Sequence, residues 1–314
     1  MSPESKIFYL KDRAQLLKQV RSFFHLKHVL EVDTPILSHS SPIDEHIDVM
    51  TVNLSNSTGY LHTSPEYAMK RLLSIGIGDI FQLGHVFRLG EFGSRHNPEF
   101  TLIEWYRIGM PFLPFIEETL ELMHLFLGSL PSSQITYRKA LQIYAGVDYV
   151  YATYDDLLKC VIHHGIELSS KESWDAESLL HLLIGSVVEP HLGKNELLVL
   201  MDYPASQAAL AKTEQKEDEL VAKRFEIYYQ GVELANGYLE LTDSQEQRKR
   251  FLESNQKRKS NGKESLPIDE NLLLALSKGL PECCGVAVGF DRLLMLKHQT
   301  ASLGEILPFH WNEI

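Results

Sequence analysis

The spacing of apolar residues predicts a helix near the start of the chain. Across residues 12–26 apolar side chains recur with a helical period, at Ala14, Leu16, Leu17, Val20, Phe23 and Phe24. Asp12 stands just before this run, and we expect it to cap the helix. A second helix is expected at 67–75, after Ser64-Pro65-Glu66, because proline is tolerated in the first turn of a helix.

Strand-like segments and further helices follow. Residues 79–88 and 100–107 are apolar enough to be strands of a buried antiparallel sheet. Between about 135 and 193 the pattern changes to short helices, which we interpret as an insertion, and strand-like sequence is again present at 231–241. The pattern predicts a single α/β (α+β) domain over residues 1–314, with an antiparallel sheet flanked by helices.

Composition is typical of a soluble globular protein. Hydrophobic residues make up 44% and charged residues 23% of the 314 positions. No apolar run approaches the roughly 18 residues that span a bilayer, and the N-terminus lacks the apolar region of a signal peptide. Three cysteines, two of them adjacent, have no metal-like spacing and fit a reducing compartment. We therefore expect a cytoplasmic protein with no membrane contact.

Net charge argues weakly against a nucleic-acid-binding role. The chain carries a formal charge of −12, whereas proteins that bind nucleic acids usually present a basic patch. The clearest basic run, residues 248–263, is most simply a solvated helix and loop. The argument is weak because local patches matter more than total charge.

One segment combines the side chains that recognise phosphate with those that recognise an amine. Residues 87–107, FRLGEFGSRHNPEFTLIEWYR, carry arginines, a histidine and carboxylates on otherwise strand-like sequence. A planar guanidinium matches paired phosphate oxygens, and a carboxylate matches an ammonium group. The segment thus indicates a site where a nucleoside triphosphate meets an amine. An amphipathic hairpin with a solvated charged face is the alternative.

A second segment has the features of a strand-to-helix turn that binds anions. Residues 285–296, GVAVGFDRLLML, place Gly289 and then Arg292 at the start of a helix-like run. Glycine lets the backbone approach a ligand closely, and a helix N-terminus favours anions. Turns of this kind occur in many folds, so this segment alone is weak support for nucleotide binding.

Taken together, four segments resemble the class II aminoacyl-tRNA synthetases. Residues 87–107 are similar to motif 2 and residues 285–296 to motif 3, and the HNPEFT and EWY pieces look like the lysyl branch. Residues 23–37, FFHLKHVLEVDTPIL, resemble motif 1, which forms the dimer interface of that family. Residues 231–241, GVELANGYLEL, match the segment that carries the family's magnesium-binding carboxylates. The resemblance implies a homodimer that uses ATP and Mg²⁺.

The resemblance also assigns roles to individual residues. Arg88 would be the catalytic arginine of motif 2, which binds the α-phosphate of ATP, and Arg292 the catalytic arginine of motif 3, which lies over the adenine or near the γ-phosphate. Further contacts to ATP would come from Leu89, Gly90, His96, Asn97, Phe100, Glu233, Leu234 and Gly289. Glu233 and Glu240 would hold magnesium. The amino-acid substrate would be bound by Ser64, Pro65, Glu66, Glu104, Tyr106, Glu240 and Ala287.

The predicted start of the motif 1 helix at Asp12 indicates a specific branch of this family. Lysyl-type synthetases carry an N-terminal anticodon-binding barrel, and we expect no room for one here. The sequence resembles the synthetase paralogues that ligate (R)-β-lysine to a lysine side chain of translation elongation factor P. The resemblance therefore implies elongation factor P as protein substrate, (R)-β-lysine as amino-acid substrate, and no anticodon contact.

Three departures from the lysyl pattern bear on specificity. Gly90 stands where motif 2 usually has an acidic residue, so Glu91 or backbone groups would replace that contact. Ala287 stands where lysyl synthetases tend to have glycine, and Thr242 replaces a common asparagine. Both fit a pocket for β-lysine, although one methyl discriminates by only about 1–3 kcal/mol. Two alternatives stay open: the same chemistry with a tRNA or free amine as acceptor, and a non-enzymatic paralogue.

Overall fold

The computed structural model describes residues 2–169 and 174–314 and divides the chain into two compact units. The first unit comprises the chain up to Gly128 together with Leu239–Ile314, and the second comprises Ser129–Tyr238. The second unit contains the segment that the sequence predicts as a helical insertion. That it is an insertion into a single domain stays a prediction.

The first part of unit one contains three helices and six strands. In chain order they are α1 (Pro3–Leu26), β1 (Leu30–Glu31), β2 (Leu37–Ser38), β3 (Thr51–Leu54), β4 (Ser57–Leu61), α2 (Glu66–Ser74), β5 (Ile80–Phe87), β6 (Glu99–Ile108) and α3 (Phe112–Leu127). Strand β5 pairs antiparallel with β6 and parallel with β1, while β2, β4 and β3 form a small antiparallel sheet. The expected antiparallel pair at 79–88 and 100–107 is therefore confirmed.

Helix α1 begins earlier than the apolar pattern indicates. Ser2 is its N-cap and accepts a hydrogen bond from the backbone N–H of Ser5, and Pro3 occupies the first turn. The prediction that Asp12 caps the helix is wrong, because Asp12 lies inside the helix and binds Lys297 and His298 through its carboxylate. The first turns carry exposed apolar residues such as Ile7 and Phe8, so they show no buried stripe.

The second unit combines short helices with a mostly antiparallel sheet. Its elements are β7 (Ser132–Thr136), α4 (Tyr137–Ala140), α5 (Tyr154–His163), α6 (Ala176–Leu183), β8 (Leu197–Pro204), β9 (Thr213–Lys216), β10 (Glu219–Tyr229) and β11 (Val232–Leu239). Strand β10 pairs antiparallel with β8, β9 and β11, and β7 pairs parallel with β8. A capping box at Thr153 and Asp156 starts α5. The short helices expected between 135 and 193 are present.

The chain then completes unit one with α7 (Ser244–Ser260), α8 (Glu270–Gly279), β12 (Cys283–Gly289), α9 (Phe290–Lys297) and α10 (Leu303–Ile306). Strand β12 pairs antiparallel with β6, which places β6 between β5 and β12. None of the helices in the described part of the chain combines the length and apolar character needed to cross a membrane. The expected mixed α/β architecture is thus observed.

The two faces of β6 carry different kinds of side chain. On one face Trp105 is fully buried against Phe24 of α1 and Phe115 of α3, with ring centroids 5.2 and 5.8 Å away. Because successive side chains of a strand point to opposite faces, Phe100, Glu104 and Tyr106 project from the other face. The aromatic core therefore holds a strand whose opposite face carries the predicted site residues.

Candidate active site

Strand β6 carries predicted ATP and substrate residues on a single face. Phe100 and Glu104 lie four positions apart, which on an extended strand corresponds to about 13 Å. Arg88 follows β5 directly, and its backbone N–H binds the carbonyl oxygen of Pro98 at 2.9 Å, which keeps it beside the start of β6. Arg292 lies in α9, directly after β12. The site thus has a phosphate end near Phe100 and an acidic end at Glu104.

Contacts of two arginines characterise the phosphate end. The guanidinium of Arg88 lies 5.0 Å from the ring centroid of Phe100, and its Nη1 atom is 3.4 Å from the Glu91 carboxylate. Arg292 donates from Nη2 to Nε2 of His96 at 2.8 Å. Arg88 and Arg292, the two arginines predicted to bind ATP, therefore each contact a residue of the motif 2 segment.

His96 is held in its neutral form. Burial lowers the pKa of His96, and the positive charge of Arg292 lowers it further. A neutral imidazole has one nitrogen free to accept a hydrogen bond, and Nε2 accepts from Arg292 here. His96 thus orients Arg292 without adding a positive charge of its own at neutral pH.

Other residues of the motif 2 segment have structural roles as well as predicted binding roles. The backbone N–H of Leu89 binds the carbonyl oxygen of Asp48 at 2.8 Å, and Gly90 follows with a φ of +82°, which favours glycine. Asn97 is buried, donates to the backbone of Glu99 and accepts from the backbone of Trp311. The side-chain amide of Asn97 is therefore already engaged, and its contact with the nucleotide stays a prediction.

The base of α9 is fixed by a buried ion pair that the sequence did not indicate. Asp291, next to Arg292, pairs with Arg13 of α1 and accepts from the backbone N–H of Thr101 at 2.7 Å. Arg13 also donates to the Thr101 hydroxyl at 2.6 Å. Since Thr101 adjoins Phe100, these bonds hold the start of α9 against the phosphate end of β6.

At the acidic end, Glu104 is fixed by two hydroxyl groups. Ser64 donates to Oε2 of Glu104 at 2.7 Å, and Tyr106 donates to Oε1 at 2.8 Å. The Ser64 hydroxyl also accepts from the backbone N–H of Glu66 at 3.0 Å, at the start of α2. Pro65 is the N-cap position of that helix. The Ser64-Pro65-Glu66 segment is thus joined to Glu104, as expected for one binding site.

A lysine joins the remaining two carboxylates. Lys70 of α2 binds Glu66 one turn earlier at 2.6 Å and also contacts Glu240 directly. Lys70 is 1% exposed, Glu240 0% and Glu104 2%. Sequence reasoning missed Lys70, although its spacing of four from Glu66 is a recognised signal for a helical ion pair. Three carboxyl groups and one ammonium group therefore form a buried cluster, which we call the acidic pocket.

The acidic pocket contains more carboxyl groups than cations. Burial, followed by the nearby charge of Glu66, raises the pKa of Glu104 to about 8. Burial also raises the pKa of Glu240 to about 8, against the opposing effect of Lys70. Burial alone would lower the pKa of Lys70, but Glu240 and Glu66 raise it above its ordinary value. A buried carboxylate excess is costly unless a cation compensates it, so the pocket favours a cationic ligand.

Glycines on β12 show where space is limited. A methyl group on Gly285 would overlap the Tyr106 ring and the Glu240 carboxylate. A methyl group on Gly289 would make ordinary contacts of 3.7 Å with the Arg292 side chain. Ala287 lies between them on the same face, directly opposite Glu104 in the β12–β6 register. Its methyl group therefore lies beside the acidic pocket, as its predicted role requires.

The predicted magnesium ligands have different surroundings. Glu240 already contacts the ammonium group of Lys70, so it fits a substrate role better than a metal role. Glu233 and Leu234 lie on β11 in the second unit. Across residues 2–169 and 174–314, no group of three or more His, Cys, Asp or Glu side chains is arranged to hold a metal ion. Magnesium often uses one or two carboxylates with substrate phosphates, and its binding by Glu233 stays a prediction.

Comparisons with known proteins agree with these features. The sequence model of the family "tRNA synthetases class II (D, K and N)" matches residues 4–313. A protein of Pseudoalteromonas translucida named elongation factor P–(R)-β-lysine ligase is 43% identical over 314 residues, 98% of this chain and 97% of that protein. Proteins of the same name from Salmonella gallinarum and Klebsiella pneumoniae are 42% identical over 313 residues, 98% of this chain and 96% of theirs.

Proposed function

We propose, from the premise that the chain belongs to the class II tRNA synthetases, that it is an ATP-dependent ligase acting on (R)-β-lysine and elongation factor P. The observation that carries this proposal is the acidic pocket on the same strand face as the Arg88 and Phe100 pair. A diamine supplies the cations that the pocket lacks. The names of the relatives supply the acceptor, elongation factor P.

The proposed reaction has two steps. First, a carboxylate oxygen of β-lysine attacks the α-phosphorus of ATP, and the bond to pyrophosphate breaks. Arg88 stabilises the charge that develops on the α-phosphate, and Arg292, held by His96, binds the phosphate chain. In the second step a neutral lysine amine of elongation factor P attacks the acyl carbonyl, and AMP and a proton leave.

Positioning accounts for most of the catalysis in this scheme. Phosphoryl and acyl transfer need little covalent help when the reacting groups are correctly aligned. Phe100, whose ring centroid lies 5.0 Å from the Arg88 guanidinium, is the proposed stacking partner of adenine. Mg²⁺, when bound, would neutralise phosphate charge, and Glu233 is the proposed ligand for it. Leu234, Leu89, Gly90 and Gly289 would line the nucleotide site.

Specificity for the β isomer is assigned to Ala287. Directly opposite residues in an antiparallel pair have Cβ atoms about 5 Å apart, so the Ala287 methyl group adjoins the Glu104 side chain. It reduces the space beside one ammonium-binding carboxylate. Ala287→Gly is expected to narrow the preference for β-lysine over α-lysine by about 1–3 kcal/mol.

The direct test is mass spectrometry of elongation factor P after incubation with this protein, ATP and each lysine isomer. A mass gain equal to one lysyl residue is expected with (R)-β-lysine and not without ATP. Pyrophosphate exchange in the same samples separates activation from transfer. Exchange that β-lysine supports no better than α-lysine would contradict the specificity, and efficient charging of tRNA would favour a different acceptor.

We also infer a homodimer and a cytoplasmic location. Large apolar side chains of the motif 1 segment are exposed, namely Leu26, Leu30, Ile36 and Leu37, and so are Ile7 and Phe8 earlier in helix α1. Exposed apolar side chains in one region of a chain are typical of subunit interfaces. Sedimentation at micromolar concentration is expected to give the mass of two chains, and a monomer would contradict this inference. The location rests on the proposed acceptor, a translation factor.

A further inference from the structure

Lys70 holds two carboxylates that come from different elements. Glu66 lies on α2, one turn before Lys70, whereas Glu240 precedes α7 and binds the backbone of Cys283 on β12 through its N–H at 2.9 Å. The Lys70 ammonium group thus joins the side chains of Glu66 and Glu240 directly, although the two residues come from different elements.

The charge count of the acidic pocket matches a particular substrate class. Glu66, Glu104 and Glu240 carry three negative charges when ionised, and Lys70 carries one positive charge. Two positive charges are then missing. A diamino acid supplies two ammonium groups, which match the two carboxylates in their ionised form. In the empty pocket protons compensate these carboxylates below about pH 8, because burial raises the pKa of Glu104 and of Glu240. An ordinary amino acid, with a single ammonium group, can replace only one of these protons.

Building on the proposed function, we propose that Lys70 is a positioning and specificity-determining residue, which ties Glu66 to Glu240 and sets the pocket charge for a dicationic substrate. Lys70 acts through these carboxylates rather than on the reacting atoms. Its ammonium group occupies the space between them and leaves Glu104, held by Ser64 and Tyr106, to receive an ammonium group of the substrate.

The experiment compares Lys70→Met and Lys70→Arg with Arg71→Met in pyrophosphate exchange. Arg71 is the next residue of α2 and is exposed, so Arg71→Met removes the same charge outside the pocket. We expect the KM for β-lysine to rise at least tenfold in Lys70→Met and less in Lys70→Arg. The KM for ATP should stay within twofold in all three variants, and Arg71→Met should behave as the unaltered protein.

The split between the two substrates separates this role from a general loss of structure. A loosened fold would raise the KM for ATP as well, and that result would overturn the proposal, as would a KM for β-lysine within twofold of the unaltered protein. Should Lys70→Met fail to fold, Lys70→Arg, which keeps the charge but changes the shape of the cation, is used in its place. A KM for β-lysine within twofold of the unaltered protein would then overturn the proposal. Failure of the proposed function would be seen in the unaltered protein as absent exchange, in which case calorimetric binding of β-lysine replaces KM.

Discussion

The acidic pocket and the phosphate end of the same strand face are built in opposite ways. In the pocket, carboxylates and Lys70 are almost completely buried, and each is paired or hydrogen-bonded within the protein. At the phosphate end, the Arg88 side chain is 23% exposed and makes one long ion pair, with Glu91. The carboxyl groups of the pocket are thus fixed within the protein before a ligand binds, whereas the arginines of the phosphate end remain partly exposed.

The difference follows from what each end has to bind. An ammonium group must be taken out of water, and only carboxylates already fixed in place can compensate that cost. A triphosphate stays partly solvated, and flexible guanidinium groups can close on it during the reaction. Rigid elements α2, β6 and β12 accordingly carry the pocket, while the segment between β5 and β6 carries Arg88 and His96.

The largest effect is expected at the phosphate end. Arg88→Ala removes charge that acts mainly in the transition state, so kcat for pyrophosphate exchange should fall by about 10³-fold. Binding of β-lysine, measured by calorimetry, should stay within twofold. Arg95→Ala, an exposed arginine of the same segment, is the matched control and should keep its activity. Unchanged turnover in Arg88→Ala would remove Arg88 from the mechanism.

A change in the pocket should have the complementary effect. Glu104→Gln keeps the shape and can keep the Ser64 and Tyr106 contacts, but it removes the charge that receives an ammonium group. The KM for β-lysine should rise by about 10²-fold, with little change for ATP. Glu99→Gln alters an exposed carboxylate of the same strand and serves as the control. An equal rise in the KM for β-lysine and in the KM for ATP would show that the pocket and the phosphate end do not bind their substrates independently.

The packing beside the acidic pocket can be tested without substituting a charged residue. Gly285→Ala introduces a methyl group that overlaps Tyr106 and Glu240, and overpacking of this kind costs about 1–3 kcal/mol of unfolding free energy. In Gly84→Ala the new methyl group would lie 3.7 Å from Gln82, an ordinary contact. Thermal unfolding of both variants should show a loss for Gly285→Ala alone, and equal melting temperatures would refute the close approach.

The pH dependence of ligand binding is expected to be gradual, and it tests the pocket without any substitution. The pKa of Glu104 is raised from 4.5 to about 8, so the empty pocket retains a proton below about pH 8. A ligand with two ammonium groups favours the ionised carboxylate, and its affinity should therefore rise by up to about tenfold per pH unit between pH 6 and 8. Glu240, whose pKa is also raised to about 8, faces the same pocket and adds to this dependence, and the charges of Glu66 and Lys70 act on both carboxylates.

Calorimetry in two buffers of different ionisation enthalpy should detect release of a proton on binding, and Glu104→Gln should reduce it. The same shift affects folding with the opposite sign. Stability that Glu104 contributes to the empty protein is fully present below pH 4.5 and is lost as the pH rises through about 8. Thermal unfolding of the empty protein that is independent of pH over this range would contradict the shift.

Local patterns in the sequence were sufficient for the strands and for the positions of several candidate site residues on them. Alternation along β6 places Glu104 and Tyr106 on one face, and the glycine-to-helix turn places Arg292 at the start of α9. The match of the class II family to residues 4–313 confirms the fold class. These features could be predicted because each is encoded within one short segment.

Features that depend on distant segments were missed. The Glu66–Lys70 spacing is equally typical of a solvated helix surface, and it gives no sign of the buried contact that Lys70 makes with Glu240 from the far part of the chain. The sequence indicated Gly289 as the glycine that leaves space for a ligand. It did not indicate that Gly285 is crowded by Tyr106 and Glu240, because these contacts come from distant segments. The helix start at Pro3 was not predicted, because the first turns of α1 bury no stripe of apolar side chains.

The most direct test is calorimetric titration of the unaltered protein with (R)-β-lysine and with 3-aminohexanoic acid, which lacks the second amine. If the acidic pocket is built for two ammonium groups, the diamine should bind at least about 100-fold more tightly, since an unpaired buried charge costs several kcal/mol. Equal affinities for the two compounds would contradict this role of the pocket.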